Sequence, residues 1–166
     1  MDGLSNTDRL TGALNGDAYA RYVKKLDAET ESTERPFGVV SVDINFLKRL
    51  NDAYGREHGN ICLKACFALV NGIFAPYPVF RIQGDEFVVL LENDALEKQN
   101  ALVKDLREAL GRSAGDDALR PWEQVSASVG CAVFEPGRDR GCNDVLRRAE
   151  EVMYAERPAL RTEGVG

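Results

Sequence analysis

At 166 residues, 44% hydrophobic and 29% charged, the chain carries enough apolar material for one globular core and too much for a disordered segment. Its net charge of −6 argues against nucleic acid or an anionic membrane as the main partner, so an anionic ligand would need a local cluster of cations. No apolar run approaches the ~20 residues of a membrane span, and Met1-Asp2-Gly3-Leu4-Ser5 has no signal-peptide pattern, so the sequence reads as cytoplasmic, or as the cytoplasmic domain of a larger protein, without direct membrane contact.

Taken in order, Leu4 to Leu14 is turn-rich. Tyr19, Tyr22, Val23 and Leu26 then recur at helical spacing over Gly16 to Ala28, and the polar run Glu29 to Pro36 ends that helix. Phe37 to Phe46 reads as a buried strand with Asp43 near its carboxyl end. Phe46, Leu50, Ala53 and Tyr54 form one helical stripe and Leu63, Cys66, Phe67 and Val70 another, with Gly55 to Asn60 separating them. Pro76 and Pro78 bracket a turn, and Phe80 to Leu91 reads as a hairpin with Asp85 and Glu86 at its tip. Leu96, Leu102, Val103, Leu106 and Leu110 predict a helix stopped by Gly111, and Arg112 to Trp122 a loop. Val125, Ala127, Val129, Cys131 and Val133 alternate as a half-buried strand does. Val145, Ala149, Val152 and Met153 line a last helix, capped by Asn143-Asp144 and ended by Pro158.

That order predicts an α/β (α+β) fold, a mixed central β-sheet flanked by helices, in a single domain over 1–166 with an entry turn at 1–15 and a C-terminal tail at 158–166. Cys62, Cys66, Cys131 and Cys142 form no C-x-x-C unit and His58 is the only histidine, so buried reduced thiols are expected rather than zinc.

The chemistry points to the acids. A charge at Asp43 inside an apolar run costs several kcal/mol unless it is paired, neutralised or metal-bound. If the Asp43 strand and the hairpin are neighbours, Asp43, Asp85 and Glu86 converge, an arrangement suited to a hard divalent ion. Gly84-Asp85 taken alone is equally ordinary hairpin chemistry.

Gln83-Gly84-Asp85-Glu86-Phe87 resembles the signature of the GGDEF domain, the diguanylate cyclase module, with Gln in place of its first Gly. Asp43, Lys48, Asn51, Asp52, Gly55, Gly59 and Leu63 are similar in type and spacing to that family's D-x-D-x-F-K-x-x-N-D-x-x-G-H-x-x-G-D-x-x-L run, and Asp8-Arg9-Leu10-Thr11-Gly12 with Leu14-Asn15 resembles its opening turn. Ser128-Val129-Gly130 and Tyr154 fall at its late strand and last helix, so the likeness covers nearly the whole chain.

The resemblance implies the palm-like sheet of nucleotidyl cyclases and many polymerases. It also implies Mg²⁺- or Mn²⁺-dependent condensation of two GTP molecules into cyclic di-GMP across a homodimer, and an upstream sensory domain in a longer protein. By the matching positions, Asp43, the Ile44 carbonyl and Asp85 would hold the metal, and Glu86 would support the metal or the incoming 3′-hydroxyl. Lys48, Asp85 and Glu86 would be the catalytic set. Lys48 and the amides around Phe46 and Leu47 would hold the triphosphate, with Arg157 and Arg161 in place of the family's Lys and Arg. Asn51, Asn60 and Gly84 complete the nucleotide site.

Asn45, Leu47, Arg56, Asn60 and Gln83 depart from the family pattern, and Phe74-Ala75-Pro76-Tyr77 stands where the inhibitory R-x-x-D belongs, so product feedback through that site is not expected. Asn60 replaces an Asp that would accept two hydrogen bonds from guanine, so relaxed GTP preference, extending to ATP, is expected. Two readings stay open. One is a cyclase of weak or altered activity, and the other a degenerate, non-catalytic module that binds a nucleotide or a partner in signalling.

Overall fold

The computed structural model describes residues 5–33 and 35–158. The elements are α1 (Gly16–Thr33), β1 (Gly38–Ile44), α2 (Leu47–Tyr54), α3 (Arg56–Phe74), β2 (Val79–Gln83), β3 (Glu86–Leu91), α4 (Asn93–Glu97), α5 (Gln99–Ala114), a 3₁₀ turn (Pro121–Glu123), β4 (Ala127–Val133) and α6 (Cys142–Ala155). The central sheet with helices packed on it is as expected. Its strands lie in the order β2-β3-β1-β4 and pair antiparallel, and an isolated bridge from Leu14 to Phe80 adds the parallel contact.

Strand β1 is buried at every position because helices cover both faces of the sheet. On one face Val40, Val42 and Ile44 join Phe87, Val89, Leu91 and Val129 under α3 and α5. On the other, Val39 joins Val88, Leu90 and Phe80 under α1 and α6. Side chains alternate along a strand, so Ser41 and Asp43 fall on the α6 face with Val39, and so does Glu86, which lies opposite Asp43 in the β1–β3 register. Gly130 lets α6 lie directly on β4: a Cβ there would come within 2.1 Å of the Ala149 carbonyl oxygen.

Several boundaries differ from the sequence reading. Gly55 alone, at φ 96, separates α2 from α3, where Gly55 to Asn60 was expected to; a residue free of a Cβ makes the whole turn. Phe46 is not a turn of α2 but its left-handed N-cap (φ 63). Helix α1 continues through the polar run to Thr33. Leu96 belongs to the short α4, and α5 runs past Gly111 to Ala114, since one helical Gly costs only ~1 kcal/mol against the packing of Leu106 and Leu110. The expected loop therefore shrinks, and the 3₁₀ turn straddles its end. Val125 is buried but lies before β4 begins at Ala127.

The expected Asn143-Asp144 cap is replaced by a tertiary one. Helix α6 begins at Cys142, whose amide donates to Asp27 Oδ1 of α1 at 2.8 Å, while Asp144 accepts from the Arg140 amide. The helix ends at Ala155, ahead of Pro158, whose ring disfavours helical geometry in the residue before it. All four cysteines are unpaired. Among the described residues no helix is long and apolar enough to cross a membrane.

Candidate functional site

The one-residue turn at Gly55 folds α2 back against α3, and the tip of the β2–β3 hairpin closes the open end. Between them lies a cavity of about 480 Å³ lined by Leu47, Lys48, Asn51, Arg56, Asn60, Arg81, Gly84 and Asp85. Most of the expected nucleotide-binding residues thus meet in one place. Gly59 makes room for Asn51: a Cβ on it would lie 1.6 Å from Asn51 Oδ1. That oxygen is buried without a hydrogen-bond partner. An unpaired buried acceptor costs ~1–3 kcal/mol, so a ligand donor there would be favoured.

At the mouth, the first bond of α2 runs from the Leu50 amide to the Phe46 carbonyl, which leaves the Leu47 and Lys48 amides at the open, electropositive end of the helix. Lys48 is exposed and pairs with Asp52 at 3.0 Å. The Phe46 side chain does not line the cavity; its ring sits 5.5 Å from the Arg49 guanidinium carbon.

Asp43 and Asp85 do converge. The Ile44 amide donates to the Asp85 carbonyl at 3.1 Å, which joins the end of β1 to the hairpin tip. Burial first, and then the neighbouring Asp85 charge, push Asp43 well above the usual carboxylate range. Asp43 Oδ1 is buried without a partner. An orphaned oxygen beside a second carboxyl group fits a small divalent cation. Among the described residues no group of three or more His, Cys, Asp or Glu side chains is arranged to hold a metal, and the carboxyls that meet here are those of Asp43 and Asp85. Two carboxyls are a donor set of the size that Mg²⁺ takes where water and substrate phosphates complete its shell.

Glu86 is placed differently. Ser41 Oγ donates to its Oε2 at 2.9 Å, and the Glu150 carboxyl of α6 lies close to it. Burial first, then Glu150, raises its pKa. It lies beside Asp43 on the α6 face, opposite it in the β1–β3 register, and does not line the cavity. Arg157 reaches the site from beyond α6, with Nη1 3.6 Å from Asp43 Oδ2. Arg161 lies outside the described residues.

Sequence reasoning did not single out Arg81, Asp8 or Arg56 as a site residue. Arg81 Nε donates to the Gly84 carbonyl at 2.9 Å and its Nη1 to both Asp8 oxygens, while Asp8 also accepts from the Thr11 amide and hydroxyl. The N-terminal turn is thereby clamped to the hairpin tip. The available signal was a lone arginine in the apolar strand Val79–Gln83, a position that demands a partner.

Burial alone would raise the Asp8 pKa, but the bonds from Thr11 and Arg81 outweigh it and hold the carboxyl below its ordinary 3.8. A depressed folded pKa stabilises the fold above the unfolded value and loses that contribution as pH falls through the folded one. Asp8→Asn is therefore expected to lower stability by ~1–2 kcal/mol at pH 7 and by progressively less below pH ~4, measured as melting temperature against pH for both proteins. A difference independent of pH would contradict this.

Comparison with known proteins adds the following. A family model described as "Diguanylate cyclase, GGDEF domain" matches residues 5–163. The crystal structure of the GGDEF domain of DgcB from Caulobacter crescentus, in complex with c-di-GMP, superposes with a TM-score of 0.77 at 22% identity, over 93% of this chain and 91% of that one. The FimX GGDEF domain from Pseudomonas aeruginosa also gives 0.77, at 17% identity over 92% and 93%. An uncharacterized membrane protein of Staphylococcus aureus is 23% identical over 148 residues, 89% of this chain but 42% of its own length. The chain thus spans less than half the length of the curated relatives it matches.

Proposed function

The chain belongs to the GGDEF family of diguanylate cyclase domains, and we propose that it binds GTP with Mg²⁺ or Mn²⁺ and condenses two such molecules into cyclic di-GMP, with reduced rate and relaxed base preference. The observation that carries this is the single cavity that gathers Lys48, Asn51, Asn60, Gly84 and Asp85 beside the orphaned oxygen of Asp43. With one nucleotide held in this cavity of each domain, two copies must face each other. An upstream sensory domain is the proposed means of bringing them together.

Asp43, Asp85 and the Ile44 carbonyl would hold the ion, which when bound polarises the α-phosphate and acidifies the attacking 3′-hydroxyl. The amides of Leu47 and Lys48, with the Lys48 ammonium, would orient the phosphates, and Arg157 and Arg161 would add charge from the C-terminal side. Glu86, beside Asp43, hydrogen-bonded to Ser41 and close to Glu150, would steady the metal-binding acid and the proton balance at the 3′-hydroxyl. Asn51 Oδ1 would accept from the base.

The second reading, a nucleotide-binding module without catalysis, is favoured by Asn45. Its Oδ1 accepts from Ser128 Oγ and its Nδ2 donates to Ser126 Oγ, both at 3.1 Å, so it is tied to β4 and adds no charge to the metal site. Incubation with Mg²⁺ or Mn²⁺ and a panel of nucleoside triphosphates, with products identified by mass, separates the readings. A cyclic dinucleotide supports the first, and binding without product the second.

The base preference has its own test. Facing guanine's N1–H and N2–H₂, the Asn60 amide finds one donor for its oxygen and one donor-to-donor clash, whereas facing adenine it could accept from N6–H₂ and donate to N1. Asn60→Asp is expected to shift the GTP-to-ATP affinity ratio towards GTP by roughly ten- to a hundredfold in competitive titration. An unchanged ratio would show that Asn60 does not read the base.

A further inference from the structure

The two oxygens of Asp43 are in different states. Oδ1 is buried without a partner, while Oδ2 faces the Arg157 guanidinium at 3.6 Å. The Asp43 side chain is 8% exposed and that of Arg157 33%, so the pair sits at the edge of the buried site rather than in open solvent. Arg157 is steered there from a second side, since its guanidinium carbon lies 5.6 Å from the centroid of the Tyr154 ring. It occupies the turn that follows α6, held by a bond from its own amide to the Tyr154 carbonyl. A side chain anchored by one ion pair, one ring face and a single turn can swing away without unpacking the core.

A divalent ion on Asp43 and Asp85 would find a fixed positive charge already on one of its ligands. Like charges a few ångströms apart in a partly buried site repel strongly, so the ion and the guanidinium cannot share Asp43 at little cost. Triphosphate oxygens offer the guanidinium a better, bidentate partner than one carboxylate oxygen does. We propose that Arg157 is a cation lock on the metal site: in the nucleotide-free protein it holds Asp43 in the ion's place, and it moves to the nucleotide's phosphates as ion and nucleotide enter together. The lock rests on the proposed metal-dependent binding of GTP. Its consequence is that ion and nucleotide bind with positive cooperativity, by the amount each gains from displacing the same side chain.

An arginine that only binds phosphate and an arginine that also locks the ion site differ in sign. Arg157→Gln keeps a polar, though shorter, side chain and removes the charge. If the lock exists, Mn²⁺ should bind the nucleotide-free variant roughly three- to tenfold tighter than the unmodified protein, followed by electron paramagnetic resonance, while GTP in saturating Mn²⁺ binds the variant more weakly by calorimetry. Mn²⁺ affinity that is unchanged or weakened in the nucleotide-free variant overturns the lock and leaves the metal reading intact. Failure of both proteins to bind Mn²⁺, with and without GTP, overturns the metal reading and the lock with it.

Discussion

Asp85→Asn is expected to remove most of the Mg²⁺-dependent part of GTP affinity, at least tenfold, while raising the thermal stability of the metal-free protein. The two effects share one cause. Asp85 is one of the two carboxylates proposed to hold the ion, so an amide in its place leaves Asp43 and a carbonyl, too little charge for a strongly hydrated cation. Without the ion, the Asp85 carboxylate is a like charge against the buried Asp43, and neutralising it relieves that repulsion. Calorimetric titration of GTP with and without Mg²⁺ reads the first effect, and a melting curve in chelator reads the second. Equal Mg²⁺-dependent affinity in the unmodified protein and the variant would sink the metal assignment. A lower melting temperature would mean that Asp85 supports the hairpin rather than burdening it.

Gly130→Ala should destabilise the fold by about 3 kcal/mol, as overpacking against backbone does, and should disturb the site at a distance. The added Cβ would sit 2.1 Å from the Ala149 carbonyl oxygen and 2.4 Å from the Met153 amide nitrogen. Neither atom can rotate away as a side-chain tip can, so α6 must shift as a body on β4. That helix carries Glu150 and leads into Arg157, so its shift alters the support of Glu86 and the contact with Asp43. Denaturant midpoints measure the stability loss. Gly72→Ala is the control, because Gly72 lies inside α3 with nothing within 4 Å of a Cβ, and alanine there should stabilise by up to ~1 kcal/mol. If Gly130→Ala behaves like Gly72→Ala, α6 does not rest on β4 as closely as described.

Much of the site was legible because its residues are tied to local pattern. Asp43 stood out as a charge in an apolar strand and Asp85 as an acid at a hairpin tip, while Asn51 and Asn60 came from the motif positions of the family resemblance. Each of those signals is contained in one element and its flanks. The misplaced boundaries have the opposite origin. Gly111 looked like a stop because helical Gly is unfavourable by itself, yet the burial of Leu106 and Leu110 carries α5 past it. Asn143-Asp144 looked like a cap because the sequence does not show that Asp27, 115 residues upstream of Cys142, already accepts from the first amide of α6.

Read alone, the sequence determined the elements, the family likeness and the acids and amides that would meet a metal and a base, since periodicity and motif spacing are properties of neighbours in the chain. Only the tertiary structure decided what those groups touch. It set the 73-residue clamp between Asp8 and Arg81, the burial of Glu86 against Glu150 rather than in the cavity, and the placement of Arg157 on Asp43. All three depend on the strand order β2-β3-β1-β4 and on which sheet face each helix covers. Such pairings follow from the packing of distant segments, and no local spacing encodes them.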